Sequence, residues 1–114
     1  MESKIRSIVG KPLSAVSFVY DYVEMHFDES IIRALTDIEI EHDGCILRVP
    51  ECGSRDLLCS IIGHKAIEVK IRKSDILIIF DSGKSVRVSI TPKEDDGPEA
   101  AHFFPGPHKP IEVW

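Results

Sequence analysis

Cysteine is scarce in this sequence, and its three cysteines do not form the close pairs that structural zinc sites use. Cys45, Cys52 and Cys59 lie seven residues apart, whereas zinc modules space paired ligands by about two to four residues. The odd count, in a chain that opens without an apolar export segment, predicts free thiols in a reducing, cytoplasmic compartment. Cys45 and Cys59 are expected to be buried as small apolar residues.

Several functional classes lack their usual features here. No apolar run approaches the roughly 20 residues of a membrane-spanning helix, so no membrane association is expected. The formal net charge of −5 disfavours nucleic acid as a partner, because phosphate binding requires a basic face. The sequence has no nucleophile-elbow serine and no glycine-rich phosphate loop. It therefore predicts a protein that is not an enzyme and that uses no cofactor.

What the chain does contain is an internal repeat within one domain, residues 1–114. The composition, 43% hydrophobic and 29% charged, is that of a single globular core. The repeat relates residues 8–35 to residues 61–90 and predicts one supersecondary unit used twice. A shift of 53 residues matches identical residues without a gap at Ile8 and Ile61, Gly10 and Gly63, Val16 and Val69, Phe27 and Phe80, and Asp28 and Asp81.

Each copy of the repeat shows the period-two alternation of half-buried strands. In the first copy, a turn at residues 20–21 sets Phe18 opposite Val23 and keeps both apolar faces on one side. In the second copy, residues 66–71 place Ile67, Val69 and Ile71 inward and turn at residues 73–74 into the apolar strand 76–80.

The connection between the copies predicts a hairpin and a helix. Asp43-Gly44 is a favoured two-residue turn, because both positions adopt positive φ, and it pairs Glu39 with Arg48. Residues 51–62 carry apolar residues at helical spacing, with Ser54 as the N-cap and Gly63 after the end.

After residue 80 the chain turns through Asp81, Ser82 and Gly83. A three-residue loop with Gly83 in the left-handed region sets Val86 against Ile78, whereas a two-residue loop would turn Val86 to the wrong face. The predicted fold is α+β and mainly antiparallel β. Two repeated β-meander units form a sandwich or a partly open barrel, with one short helix between them.

Two features resemble a known group of proteins. The first is the repeated unit of an apolar pair with glycine, a strand, a tight turn and a strand that ends in Phe-Asp. The second is Gly-Pro-Glu-Ala-Ala-His-Phe at residues 97–103 followed by Val113-Trp114. Together they are similar to small bacterial domains of unknown function, some encoded near toxins and suspected of acting as immunity proteins. The resemblance implies a β-rich domain that neutralises a toxin, and it implies no active site.

The predicted partner surface combines an acidic loop with an apolar strand face. A carboxylate cluster faces a basic protein, such as a basic toxin, or is simply a solvated turn. Leu77 and Ile79 point outward and require cover from the helix, from the C-terminal segment or from another subunit. The residues of the carboxylate cluster are Glu94, Asp95, Asp96 and Glu99.

The alternative is a small-molecule or metal-binding domain with hydrolytic activity. Asp96, Glu99 and His102 would supply the metal ligands, because carboxylate oxygens and imidazole nitrogens bind divalent metals. A pocket lined by these side chains, or metal retained on purification, favours this alternative. A neighbouring toxin gene favours the immunity-type protein.

Overall fold

The chain forms two five-stranded antiparallel sheets and one short α-helix in a computed structural model that describes residues 3–91 and 99–114. No helix in these two ranges is long and apolar enough to cross a bilayer. In chain order the described elements are a 3₁₀ helix (Lys4–Ile8), β1 (Ala15–Val19), β2 (Tyr22–Phe27), β3 (Ser30–Ala34), β4 (Ile38–His42), β5 (Cys45–Arg48), α1 (Ser54–Cys59), β6 (Ala66–Ile71), β7 (Asp75–Phe80), β8 (Ser85–Ser89), β9 (Ala101–Phe104) and β10 (Glu112–Val113).

The two halves of the chain exchange hairpins. Sheet 1 has the strand order β1-β2-β3-β9-β10, and sheet 2 has the order β5-β4-β8-β7-β6. Each sheet contains a meander of three consecutive strands, β1-β2-β3 in sheet 1 and β6-β7-β8 in sheet 2. Two strands from the other half of the chain complete each sheet. Among the described residues, β1 and β10 edge sheet 1 and β5 and β6 edge sheet 2. The sheets are therefore not closed into the partly open barrel that was one of the two expectations.

The short-range strand pairs follow the predicted registers. Phe18 lies opposite Val23 across the turn at residues 20–21. Glu39 lies opposite Arg48 in the β4–β5 hairpin, whose turn residues Asp43 and Gly44 have φ of 50° and 80°. Both turn residues thus adopt the positive φ that a two-residue hairpin of this hand requires.

The β7–β8 connection is the predicted three-residue loop. Gly83 has φ of 87°, its N–H donates to the Phe80 carbonyl over 3.0 Å, and Val86 lies opposite Ile78. Ile78 and Val86 are fully buried. The loop length therefore keeps the apolar side chains of both strands on the core side.

One apolar core is shared by both sheets and the helical segments. Its largest buried residues include Phe27 at the end of β2 and Phe80 at the end of β7. The two rings stack with 6.1 Å between centroids. Phe103 from β9 and Leu58 from α1 belong to the same buried cluster.

The segments that precede β1 and β6 bind each other through the backbone. The 3₁₀ helix contacts β6, and α1 contacts β1. Pro12 and Lys65 form an isolated antiparallel bridge at the centre of this region. Four hydrogen bonds join the segments: Gly10 N–H to the Ala66 carbonyl (2.7 Å), Gly63 N–H to the Leu13 carbonyl (2.8 Å), Leu13 N–H to the His64 carbonyl (3.0 Å) and Ala66 N–H to the Lys11 carbonyl (3.0 Å).

The helix is shorter than predicted, and its N-cap residue is different. Gly53, at φ of 84°, is the N-cap of α1. Ser54 is the first residue of the helix, and its side chain is buried. The predicted range 51–62 was wrong at both ends. After Cys59 the backbone tightens, since Ile61 N–H bonds the Leu58 carbonyl rather than one four residues back.

Three residues predicted to be buried are exposed. Cys45 lies at the end of the β4–β5 hairpin, beyond the stretch of β4 that pairs with β8. Cys59 is exposed on α1, where Leu58 takes the buried position. Ile67 is 55% exposed, because the β6–β7 register shifts between Ala66 and Glu68 and leaves Ile67 in a bulge.

Candidate functional site

The outer face of sheet 1 carries a cluster centred on Arg33, in the middle strand β3. Alternation along β3 buries Ile32 and turns Arg33 outward. The register places Arg33 between Glu24 on β2 and His102 on β9. We call the set Tyr22, Glu24, Arg33, His102 and Phe104 the Arg33 cluster.

Two aromatic rings and one carboxylate fix the Arg33 guanidinium. Its Cζ lies 4.7 Å from the ring centroid of Tyr22 and 4.8 Å from that of Phe104. Its Nε donates to Glu24 Oε2 over 2.8 Å. The Arg33 side chain remains 31% exposed, so a pre-organised guanidinium, whose charge is paired with Glu24, faces solvent.

Histidines lie at both sides of Arg33, His102 within the cluster and His26 next to it. His26 Nε2 lies 3.5 Å from Glu24 Oε1, and the His102 ring meets Phe104 edge-on at 6.0 Å. His102 Nε2 contacts Glu99 Oε2 at 2.5 Å. Glu99 therefore links the cluster to the acidic segment that precedes it in the sequence.

The outer face of sheet 2 carries a network of ion pairs instead of an aromatic cluster. Arg87 in the middle strand β8 lies 3.2 Å from Glu39 and 3.5 Å from Asp75. Arg48 binds the same Glu39 at 3.1 Å, and this hydrogen bond is the main reason that the pKa of Arg48 is raised. A cavity of about 240 Å³ lies beside these side chains.

A third exposed surface lies at the tip of the β1–β2 hairpin. Tyr20 is fully exposed there, and Val19 is 44% exposed. Arg55 of α1 lies with its Cζ 5.7 Å from the Phe18 ring centroid. A groove of about 190 Å³ separates this tip from Pro50.

The predicted partner residues are only partly brought together. Leu77 and Ile79 lie on the outer face of sheet 2 and are half-buried. Leu77 lies between Lys70 and Arg87, whose long side chains flank it. Glu99 lies instead beside sheet 1. The other members of the predicted cluster, Glu94, Asp95 and Asp96, lie outside the described residues.

The structure describes two of the three ligands predicted for the alternative metal site. Glu99 and His102 are in contact, while Asp96 lies outside the described residues. Within residues 3–91 and 99–114, no group of three histidine, cysteine or acidic side chains could hold a metal ion.

Sequence reasoning did not single out Arg33, Tyr22 or Phe104. One signal was available in the sequence, because a hairpin of β2 and β3 across the two-residue turn 28–29 sets Arg33 opposite Glu24, an opposite-charge cross-strand pair. Phe104 reaches Arg33 only through the pairing of β3 with β9, which no local pattern indicates.

No protein-family model, curated protein or solved structure matches this chain.

Proposed function

We propose that this chain is a non-catalytic protein-binding domain whose partner docks on the Arg33 cluster. The observation that carries the proposal is the Arg33 guanidinium held between the Tyr22 and Phe104 rings on an exposed sheet face. Arginine and tyrosine are enriched among residues that dominate binding energy. A side chain that is already fixed loses less entropy when a partner covers it.

The proposed partner is a protein with a basic surface. Glu99 touches His102 of the Arg33 cluster and ends a run that includes Glu94, Asp95 and Asp96. A basic patch that approaches this run is attracted before contact, which raises the association rate. The net charge of −5 acts in the same direction.

The most concrete form of this proposal is a bacterial immunity-type protein that binds and neutralises a toxin. The sequence resemblance supports this form, and the acidic segment suits a basic toxin. We also place the protein in the cytoplasm. The three exposed free cysteines support that placement, because exposed thiols persist in reducing compartments.

The proposed architecture is a sandwich of two duplicated units related by a pseudo-twofold axis. The backbone bonds from Gly10 to Ala66 and from Gly63 to Leu13 support it, because a shift of 53 residues converts one bond into the other. Arg33 and Arg87 support it further. Each lies outward in the middle strand of its own sheet, one residue from a buried Ile32 or Val86.

The test measures binding of the protein encoded by the neighbouring gene to the wild type and to two arginine variants. Arg33→Ala removes the centre of the proposed surface. Arg87→Ala is the matched control, because it removes an outward arginine from the middle strand of the other sheet. We expect Arg33→Ala to weaken binding by about 30-fold, a loss typical of a hot-spot residue, and Arg87→Ala to weaken it less than threefold.

Two results would contradict the proposal. Equal losses for both arginine variants would remove the Arg33 cluster from the interface. Failure of every neighbouring gene product to bind the wild-type protein would remove the immunity-type assignment. Circular dichroism of both variants verifies that each one is folded.

A further inference from the structure

Strand β6 is an edge of sheet 2. Its first residue, Ala66, bonds the segment before β1, and the 3₁₀ helix contacts the strand, whereas the edge beyond the bulge at Ile67 is open. Arg72 N–H donates to the Asp75 carbonyl over 2.8 Å, so the alternation of an antiparallel ladder directs the backbone groups of Lys70 and Glu68 toward β7. The backbone groups of Val69 and Ile71 then face away from the sheet. No backbone hydrogen bond from elsewhere in the described chain reaches them.

The side chains along this edge complement themselves. Glu68 and Lys70 are both exposed on the outer face and lie 3.8 Å apart within one chain. Suppose that a second copy of β6 runs antiparallel with Val69 opposite Val69. Glu68 of each copy then lies opposite Lys70 of the other, and Ile67 lies opposite Ile71.

We propose that two copies of this chain associate by antiparallel pairing of their β6 strands about a twofold axis at Val69. The charges along this edge are complementary to themselves, as a C2 interface requires. A second copy of the chain is therefore the partner that fits. The pairing joins the two copies of sheet 2 into one continuous sheet. It also covers part of Ile67, which is 55% exposed in the single chain.

Charge selects this register over its neighbours. An axis at Glu68 sets the two Glu68 side chains opposite each other, and an axis at Lys70 does the same for Lys70. An axis at Ile71 places Lys70 against Arg72. Like charges directly opposite each other disfavour each of these arrangements, so the Val69 register is the one with opposite charges and no like pair among these residues.

The other two long edges carry contacts of their own. The backbone N–H and carbonyl of Arg48 in β5 are bound by Glu51 at 2.6 Å each. On β1, the Arg55 guanidinium lies over the Phe18 ring, and α1 contacts the strand. β10 has only two residues. This inference concerns sheet 2 and does not rest on the proposed function of the Arg33 cluster.

Charge reversal and charge exchange test the register. Sedimentation velocity of the full chain, at concentrations up to about 1 mM, should show a species of twice the 12.8 kDa chain mass. Lys70→Glu alone, or Glu68→Lys alone, creates two like-charge contacts in the dimer and should weaken association by about tenfold or more. The double exchange, Glu68→Lys with Lys70→Glu, restores opposite charges and should recover wild-type association.

Lys109→Glu is the control, because it makes the same charge change in the exposed loop before β10. It should leave association unchanged. Amide hydrogen exchange gives a second readout, since the amides of Val69 and Ile71 should gain protection as concentration rises. A wild-type chain that stays monomeric overturns the inference. So does a double exchange that associates no better than either single reversal.

Discussion

Phe27 and Phe80 stack with 6.1 Å between their ring centroids and 13° between their planes. Phe27 ends β2 in sheet 1, and Phe80 ends β7 in sheet 2. Both are fully buried, so the ring pair joins the two sheets inside the core. The two residues are also counterparts under the 53-residue shift, so the contact joins a residue to its own equivalent.

The ring pair should show a measurable coupling energy. Phe27→Leu and Phe80→Leu should each cost about 1–2 kcal/mol of unfolding free energy, because leucine leaves part of the ring volume unfilled. The double variant should cost less than the sum of the single losses by about 0.5–1.5 kcal/mol, the value of an aromatic pair beyond its area. Urea denaturation of the four proteins measures this cycle.

The control cycle combines Phe80→Leu with Phe103→Leu. Phe103 is equally buried, but no ring contact between it and Phe80 occurs in the described residues. The stability losses of the two single variants in this control cycle should therefore add. Additive losses in both cycles would mean that the Phe27–Phe80 stack contributes nothing beyond ordinary burial.

Gly83 should resist replacement by a β-branched residue. Its φ of 87° is strained for other residues, but a Cβ added there would meet no atom within 4 Å. The cost of Gly83→Val is therefore a backbone cost, which we expect to be about 1 kcal/mol or more. Gly83→Asn should cost less, because asparagine tolerates the left-handed region. If the valine variant kept the wild-type urea midpoint, the three-residue loop would be wrong.

The acidic segment should act on the rate of binding rather than on stability. Neutralising its four carboxylates should leave the melting temperature nearly unchanged and should slow association with the basic partner. The difference in association rate from the wild type should shrink as the salt concentration rises. The control, Asp43→Asn with Asp56→Asn, removes two exposed carboxylates from the β4–β5 turn and from α1 and should slow association less than the four substitutions do. Equal rates at low salt would exclude the segment from the binding surface. The four substitutions are Glu94→Gln, Asp95→Asn, Asp96→Asn and Glu99→Gln.

The sequence predicted the contacts that form across short turns. Phe18 opposite Val23, Glu39 opposite Arg48 and Val86 opposite Ile78 all follow from alternation and turn chemistry. In each case a loop of two or three residues leaves few registers, and only one of them puts every apolar side chain on one face. These pairs were predictable because their information is local.

The exchange of hairpins between the sheets was not predictable in this way. Strand β4 follows β3 in the chain but pairs with β8, and no turn residue encodes that choice. The Arg33 cluster needs Phe104 from β9, so it depends on the same exchange. The bulge at Ile67 was missed because residues 66–71 alternate like a regular strand, and the register shift appears only against β7.

The hairpin exchange sets a limit on folding during synthesis. When β3 leaves the ribosome, one of its edges pairs with β2, but its other partner begins at Ala101. Likewise β4 waits for β8, which begins at Ser85. Neither sheet can be completed while the nascent chain is short, so folding must await long-range closure, which slows it. Until β9 has emerged, this edge of β3 stays unpaired, and an unpaired strand edge can pair with another chain.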